Sequence, residues 1–225
     1  KIDESPINGN YGPYIQSERK DIYRAFAKYL VSIGKAYPCF CSEEELNKIR
    51  EEQGNKKDRL GYYGKYAKCR NLSMEEIEKK LNNQEKFTIR LRSNGDFNKK
   101  ITFKDKVKGI LQLPENDIDH VLMKSDEIPP YAFAHVVDDY LMRVTLVIRD
   151  DSYISSVPYH LEIWQAFGFK TPNYAHIAPL NKKDGACIRK LSKRKDPEAA
   201  VIYYNEKGIP EEAIKLYFAT LLNSN

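Results

Sequence analysis

One segment of the C-terminal half limits the fold of this chain more than any other part of the sequence. It begins with VTLVI (144–148), a short, continuous apolar run that is typical of a parallel strand buried on both faces. Ser156 and Pro158 then favour the start of a helix that ends before Gly168, and NYAHIAPL (173–180) is typical of a second strand. A strand, a helix and a strand in this order predict a βαβ unit, the smallest part of a doubly wound parallel sheet.

An extended start and three helices are predicted in the N-terminal half. Residues 1–15 are rich in Gly, Pro and Asn and predict a loop. A first helix, with apolar residues recurring every three or four positions, is expected to be capped by Ser17 and to stop at Gly34. Two more helices are expected to begin at Ser42 and Ser73, because each serine has a glutamate three residues later, as in a capping box.

Strands are predicted around and after these helices. Apolar and polar residues alternate over 87–91 and 101–103, and HVLMKS (120–125) follows a turn. The Gly-containing, charged stretch 51–66 is typical of a mobile loop. We therefore expect residues 37–127 to form a helix-and-strand insert of their own.

Composition excludes few classes of protein. With 225 residues, of which 41% are hydrophobic, the chain is long enough for two compact lobes. The net charge of +5 permits a polyanionic partner without demanding one. No apolar run approaches the roughly 20 residues that cross a bilayer, and the four cysteines are too few for a disulfide scaffold, so we expect a cytoplasmic protein with reduced thiols. We also expect the chain to be an internal fragment, since it starts at Lys1.

Arg149 comes directly after the predicted strand 144–148, at the edge where open α/β sheets bind their ligands. A guanidinium there can hold a carboxylate through two parallel hydrogen bonds. The alternative is an ion pair between Arg149 and its neighbours Asp150 or Asp151. The sequence alone leaves both interpretations open.

A run of cations follows the second predicted strand, in KLSKRK (190–195), which we call the lysine loop. Lys190, Ser192 and Lys193 precede a helix that Asp196 is expected to cap. Such a loop can fold over a triphosphate and neutralise charge that develops during phosphoryl or nucleotidyl transfer. Runs of charge are also common on solvated surfaces, which is the alternative interpretation.

Cys39, Cys41 and Cys69 offer three thiolates, one fewer than a structural zinc site uses. Tyr66, or the third tyrosine-bearing loop, would have to supply the fourth ligand. The alternative is that these cysteines are small buried hydrophobic residues. The four histidines form no cluster with ligand-like spacing, so we expect them to be ordinary core or surface residues.

Five segments of the chain occur in an order and spacing that identify a family. They are DESPINGNYGPYIQSERKDIY, YPCFCSEEEL, KSDEIPPYAFAHVVDDYLMRVTLVIR, NYAHIAPL and KLSKRKDPEAA. Together they resemble the glutamyl-tRNA synthetases, which belong to the class I aminoacyl-tRNA synthetases. The resemblance covers essentially the whole chain. It implies an enzyme that joins glutamate to ATP as an aminoacyl-adenylate and then esterifies the 3′ end of tRNA(Glu), with Mg²⁺ as a cofactor, and we expect a monomer.

The resemblance also implies roles for individual residues. Lys193 matches the second lysine of a class I signature loop, which stabilises charge on the reacting phosphates. Arg149 matches the arginine that holds the side-chain carboxylate of glutamate, in a pocket that Tyr131 and His135 line. The residues implied to bind ATP are Tyr153, Leu180, Lys190, Ser192 and Lys193.

The same resemblance divides the chain and implies an α/β fold, the second half of a class I Rossmann-type parallel sheet. Residues 1–36 and 128–195 match part of the catalytic domain, 37–127 an α+β insert that binds the tRNA acceptor end, and 196–225 the start of a helical stem-contact domain. The chain departs from the family in several features. The H-I-G-H signature is missing and is expected before Lys1, and the anticodon-binding part is absent as well. His135 stands where asparagine is more usual, and RDDSY (149–153) stands where R-G-E-D-H or R-A-E-E-W is common.

Three alternatives remain at this point. A glutaminyl-tRNA synthetase is disfavoured, because a neutral amide would give the guanidinium of Arg149 no countercharge. The shorter relative that glutamylates queuosine in tRNA is disfavoured by the helices predicted beyond Pro197. A non-catalytic RNA-binding relative would lack the histidine signature in the sequence that precedes Lys1.

Overall fold

The computed structural model of the chain describes residues 9–223, which have a mixed α/β architecture. The helices are α1 (Lys20–Ser32), α2 (Glu43–Lys56), α3 (Met74–Asn82), α4 (Tyr131–Leu141), α5 (Val157–Phe167), α6 (Val201–Glu206) and α7 (Glu211–Asn223). The strands are β1 (Ala36–Cys39), β2 (Thr88–Leu91), β3 (Lys100–Asp105), β4 (Gly109–Pro114), β5 (Val121–Met123), β6 (Leu146–Asp150), β7 (Asn173–Ile177), β8 (Asn181–Asp184) and β9 (Cys187–Lys190). Of the predicted N-terminal loop, residues 1–8 lie outside the described residues, and 9–15 contain no helix or strand.

The strands form three sheets. A three-stranded sheet has the order β1-β2-β5 and is antiparallel, and β8 pairs with β9 as an antiparallel hairpin. The four-stranded sheet has the order β4-β3-β7-β6, and β7 runs parallel to both β3 and β6. The predicted βαβ unit is thus confirmed, since β6 and β7 are parallel and α5 connects them along the chain.

The described residues separate into two compact units. The first contains the residues up to Phe103 together with Gln112–Thr145 and Ser155–Pro172, and the second contains Lys104–Leu111, Leu146–Ile154 and the residues from Asn173 onwards. Among the described residues, no helix combines the length and the hydropathy that a membrane crossing requires.

The core of the first unit lies among α1, α4 and α5. Leu30, Phe133 and Trp164 are buried there, and each such side chain stabilises the fold by about 1.5–3 kcal/mol. At the edge of this core, Asp138 accepts a hydrogen bond from Arg19 Nε at 2.8 Å and another from the hydroxyl of Tyr23 at 2.7 Å. The first bond gives the buried guanidinium a carboxylate partner, and both bonds connect the start of α1 to α4.

In the second unit, a buried pair fixes the parallel strands. The carboxylate of Asp105, at the end of β3, lies 2.7 Å from Nδ1 of His176 in β7, and both side chains are buried. Asp105 also accepts from the backbone N–H groups of Val107 and Lys108 at 2.8 and 2.9 Å. This carboxylate therefore holds the β3–β4 turn and β7 in register.

Local signals in the sequence predicted several helix ends correctly and one at the start of α1 wrongly. The capping boxes at Ser42 and Ser73 are both present, and Gly34 follows α1 with a φ of 71°. The expected cap at Ser17 is wrong, because Ser17 lies inside a short 3-10 turn and α1 begins at Lys20 without a side-chain cap. The ion pair of Arg19 with Asp138, which is distant in sequence, determines where this helix starts.

Two further predictions about burial and order are wrong. The predicted mobile loop 51–66 is ordered, because α2 extends to Lys56 and the side chain of Gln53 exchanges hydrogen bonds of 2.6 and 3.1 Å with the backbone of Gly61. The apolar run 144–148 is not covered on both faces. It belongs to an edge strand in which Leu146 is 43% and Ile148 is 62% exposed.

Candidate functional site

A cavity of about 360 Å³ lies at the carboxyl ends of β6 and β7 in the second unit. Asp150, the last residue of β6, lines it together with Lys190 and Lys193 of the lysine loop and Leu180. Its remaining lining residues are mostly apolar, namely Ile177, Ala178, Pro179, Leu191, Ala199 and Phe218. The structure thus brings three residues predicted to bind ATP into one cavity, at the edge where open α/β sheets hold ligands.

The hairpin of β8 and β9 delivers the lysine loop to this cavity. Asn181 pairs with Lys190 across the hairpin, and Gly185 makes the turn with a φ of 61°. Directly after β9, the backbone N–H of Leu191 donates to the carbonyl of Leu180 at 2.8 Å. Because of this pairing, Lys190 lies at the open end of the hairpin, next to the residues that follow β7.

The carboxylate of Asp150 accepts a hydrogen bond from Lys190 Nζ at 2.6 Å. The donors on Lys190 and Ser152 lower the pKa of Asp150 to about 2, so this carboxylate is ionised at neutral pH. The neighbouring Asp151 pairs with Lys108 at 3.5 Å. Both carboxylates therefore have lysine partners.

Arg149 lies within β6, opposite His176, and not after the strand as the sequence predicted. Its guanidinium carbon is 5.3 Å from the centre of the Tyr153 ring, a distance typical of a cation–π contact. Tyr153 belongs to a 3-10 turn over Asp151–Ser156 that follows β6 directly. The strand end and this turn therefore position the arginine and the tyrosine together.

Tyr131 and His135 lie on one side of α4, in the first unit. Tyr131 is 54% exposed at the start of the helix, and its ring stacks on that of His135 with 5.9 Å between centroids. His135 is buried, its Nδ1 lies 2.5 Å from the carboxylate of Asp139, and its ring meets that of His160 edge to face. Asp139 thus fixes the orientation of the imidazole, and sequence reasoning missed it although the two residues are four apart on a helix.

Ser192 takes part in the lysine loop through its backbone. Its N–H donates to Asp196 Oδ2 at 2.9 Å, and its carbonyl accepts from the N–H groups of Lys195 and Asp196. Asp196 stands at the predicted N-cap position and Pro197 starts the turn, but the side chain makes no cap bond and Pro197–Ala199 form a 3-10 turn in place of the expected helix. The physical reason is competition, since the carboxylate binds Arg189 and the loop backbone.

The sulfur atoms of Cys39, Cys41 and Cys69 form a thiol cluster in the first unit and lie within 4.8 Å of one another, with 3.6 Å between Cys41 and Cys69. The prediction that Tyr66 supplies the fourth ligand is wrong, because its hydroxyl donates to Asp58 at 2.6 Å. The hydroxyl of Tyr62 lies at the cluster, 3.4 Å from Cys39 and 3.2 Å from Cys41.

Hydrogen bonds within the thiol cluster shift the pKa values of two of its cysteines in opposite directions. Hydrogen bonds from Cys41 and Cys69 lower the pKa of Cys39, whereas the contact with Cys39 raises the pKa of Cys41. Negative charge therefore concentrates on one sulfur atom. A tetrahedral zinc ion, about 2.3 Å from each thiolate, would space the sulfur atoms by about 3.8 Å, close to the 3.6 Å between Cys41 and Cys69.

Comparison with known proteins identifies the family to which these features belong. A family model described as the catalytic domain of class I tRNA synthetases for glutamate and glutamine matches residues 2–223. The chain belongs to this family. It therefore shares the fold class that the resemblance implied, and ATP and Mg²⁺ are used generally by such synthetases.

Individual relatives agree with this assignment. The chain is 50% identical over 221 residues to a glutamate–tRNA ligase of Clostridium beijerinckii and 49% identical over 229 residues to one of Acetivibrio thermocellus. These matches cover 98% and 100% of the chain but only 40% and 42% of the relatives, so the chain spans about two fifths of their length.

A solved structure shows the same fold. The crystal structure of a glutamate tRNA ligase from Elizabethkingia meningosepticum, in complex with its amino acid, matches with a TM-score of 0.74 at 33% identity. The match covers 88% of this chain and 40% of that one.

Proposed function

We propose that the full-length protein containing this chain attaches glutamate to tRNA(Glu) at the expense of ATP, through a glutamyl-adenylate. The observation that carries the proposal is the cavity at the strand ends, which Lys190 and Lys193 both line. The names of the relatives support glutamate as the amino acid. We expect the chain alone to be inactive.

In the first step, an α-carboxylate oxygen of glutamate attacks the α-phosphorus of ATP and pyrophosphate leaves. Negative charge grows on the phosphate oxygens, and an ammonium group held nearby stabilises the transition state more than the ground state. Lys193 is an exposed cation of the lysine loop and lines the cavity, and we assign it this catalytic role. Lys190, Leu180 and the backbone of Ser192 contribute to nucleotide binding, and Tyr153 stands at the same strand end.

Mg²⁺ would enter with the nucleotide, because it keeps several waters and binds through substrate phosphates and one or two carboxylates. Asp150 lines the cavity and is ionised at neutral pH, so it fits the role of a protein ligand. In the second step, the terminal ribose hydroxyl of tRNA attacks the carbonyl carbon of the adenylate and AMP leaves. Residues 37–127 are proposed to contact the acceptor end.

Glutamate would be selected by charge. Arg149 is proposed to bind the side-chain carboxylate. A neutral amide in the place of this carboxylate would not form a charge-assisted hydrogen bond with the guanidinium, so glutamine would bind more weakly. Tyr131 and His135 are proposed as further glutamate-binding residues. The orientation of His135 by Asp139 supports a fixed hydrogen-bonding geometry for that imidazole.

Pyrophosphate exchange tests the proposal directly. Full-length protein, supplied with ATP, Mg²⁺ and total tRNA, should exchange labelled pyrophosphate into ATP when glutamate is added and not when glutamine is added. Exchange that depends on glutamine would reassign the substrate, and the absence of exchange with every amino acid would leave only a tRNA-binding role.

We also propose that the thiol cluster holds a structural zinc ion, with Cys39, Cys41, Cys69 and the hydroxyl of Tyr62 as ligands. The spacing of the sulfur atoms supports this ligand set. Element analysis of full-length protein, purified without chelators, should find about one zinc per chain. Metal-free protein with three freely titrating thiols would favour the alternative, in which the cysteines are simply small buried residues.

A further inference from the structure

Asp196 is a buried carboxylate at the end of the lysine loop. It lies three residues after Lys193, is only 1% exposed, and belongs to the same compact unit as the cavity. A buried carboxylate is costly unless donors surround it. The partners that surround Asp196 therefore show what this residue holds in place.

Those partners come from both sides of the lysine loop. The guanidinium of Arg189, which precedes the loop, donates from Nη1 to Oδ2 at 2.7 Å and from Nη2 to Oδ1 at 2.8 Å. The backbone N–H of Ser192, inside the loop, donates to Oδ2 at 2.9 Å. Lys182 of β8 adds a contact of 3.4 Å. A single carboxylate thus ties the hairpin to the backbone immediately before Lys193.

The backbone of the loop closes around the same point. The carbonyl of Ser192 accepts from Lys195 N at 3.0 Å and from Asp196 N at 2.8 Å. With both backbone groups of Ser192 bonded in this turn, Lys193 and Arg194 at its tip are exposed. The direction of the Lys193 side chain then depends on a turn that Asp196 holds together.

We propose that Asp196 is a positioning residue, which fixes the lysine loop so that Lys193 is already directed at the reacting phosphates before ATP binds. The inference rests on the proposed function, because it assumes that Lys193 acts in adenylate formation. Preorganisation of this kind lowers the barrier without contact between Asp196 and the substrate.

The test is glutamate-dependent pyrophosphate exchange by full-length protein in a double-mutant cycle. Asp196→Asn keeps the shape of the side chain and removes the bidentate partner of Arg189. It should lower the rate on the order of 10²-fold, the cost of small misplacements at a reacting centre, and should leave the KM for glutamate unchanged. In a Lys193→Ala background the same change should cost only about 2-fold, the range of a neutral surface substitution, because there is no positioned ammonium left to misplace.

Asp184→Asn is the matched control. Asp184 also binds Arg189, at 2.6 Å, but is 61% exposed and makes no bond to the lysine loop. Its replacement should change the rate by no more than about 2-fold, as expected for an exposed ion pair. Equal effects of Asp184→Asn and Asp196→Asn would overturn the inference.

The remaining outcomes separate the inference from the proposed function. Losses from Asp196→Asn and Lys193→Ala that simply multiply would make Asp196 a structural residue and overturn the inference. A wild-type rate in Lys193→Ala would instead overturn the proposed role of the lysine loop. If Asp196→Asn does not fold, Arg189→Lys keeps the charge and removes the bidentate bond. It should then slow exchange in the same Lys193-dependent way, and a wild-type rate would overturn the inference.

Discussion

The lysine loop and the thiol cluster organise their chemistry in opposite ways. In the thiol cluster, the candidate ligands are also part of the packed interior, since Cys39 and Cys69 are buried and in contact with Tyr62. In the lysine loop, Lys193 is exposed, and the buried charge is that of Asp196, which touches no substrate in our account. A cation that contacts a substrate must stay exposed, so its position has to be fixed by other, buried residues.

This difference has a consequence for mutation. A change in the thiol cluster removes a ligand and a core residue together, so it should act on stability. A change in the lysine loop removes charge from a solvated tip, so it should act on rate and leave stability almost unchanged.

Lys193→Ala should give the largest effect on rate. Loss of one preorganised charge contact in the transition state should lower adenylate formation on the order of 10²- to 10³-fold. The melting temperature should stay within a degree or so, because the side chain is exposed. Lys183→Ala, another exposed lysine of the same hairpin, serves as the control and should keep the wild-type rate. Pyrophosphate exchange in both variants is the measurement.

Arg149→Gln should raise the KM for glutamate. Removing one partner of a buried charge pair weakens binding by about 2–5 kcal/mol. We expect the lower end of this range, roughly a 30-fold higher KM, because Arg149 is only half-buried. The fold should survive, since Arg149 lies in an edge strand. An unchanged KM with a lowered melting temperature would remove Arg149 from the glutamate site.

Cys69→Ser should act on the first unit alone. Removing this buried thiol should lower the free energy of unfolding by about 1–3 kcal/mol, because its hydrogen-bonding partners lose their contact. In a chain of this size each kcal/mol lowers the Tm by about 2–4 °C. Zinc content should fall at the same time. The KM for ATP should not change, because no residue of the thiol cluster lines the cavity. Calorimetry measures the Tm, and pyrophosphate exchange measures the KM for ATP. A changed KM for ATP with an unchanged Tm would contradict the structural role of the thiol cluster.

The smallest effect is expected for basic residues around 56–70. Lys68 is exposed, and Lys68→Ala should weaken tRNA binding slightly and reduce the slope of log K against log salt by about one, as for one lost phosphate contact. Titrations of an acceptor-stem RNA at several salt concentrations measure the slope. A slope identical to that of the unmodified protein would make this cation part of a solvated surface.

Sequence reasoning succeeded where the determinants are close along the chain. The capping boxes at Ser42 and Ser73 join residues three positions apart, and the βαβ unit follows from apolar runs and turn residues. It failed for Ser17, because the start of α1 depends on a bond between Arg19 and a residue 119 positions away.

The candidate sites show the same limit. The motif KLSKR predicted which lysines line the cavity, but not that Asp196 holds the loop, since the local pattern Asp-Pro also fits a helix cap. The hairpin of β8 and β9 had an unused signal in the Asp184–Gly185 pair, which is typical of tight hairpin turns. Nothing in the sequence distinguished Tyr62 from the nearby Tyr66 as the neighbour of the thiols.

The most direct test of the central claim is to find where ATP phosphates lie on the full-length protein. An acyl-phosphate derivative of ATP transfers its acyl group to a lysine beside the phosphates, and peptide mass spectrometry then locates the label. We predict label on Lys190 or Lys193, removed by excess ATP and absent from the lysines of 56–70. Label on 56–70 that ATP suppresses, with the lysine loop unmodified, would contradict the assignment of the cavity at the strand ends as the nucleotide site.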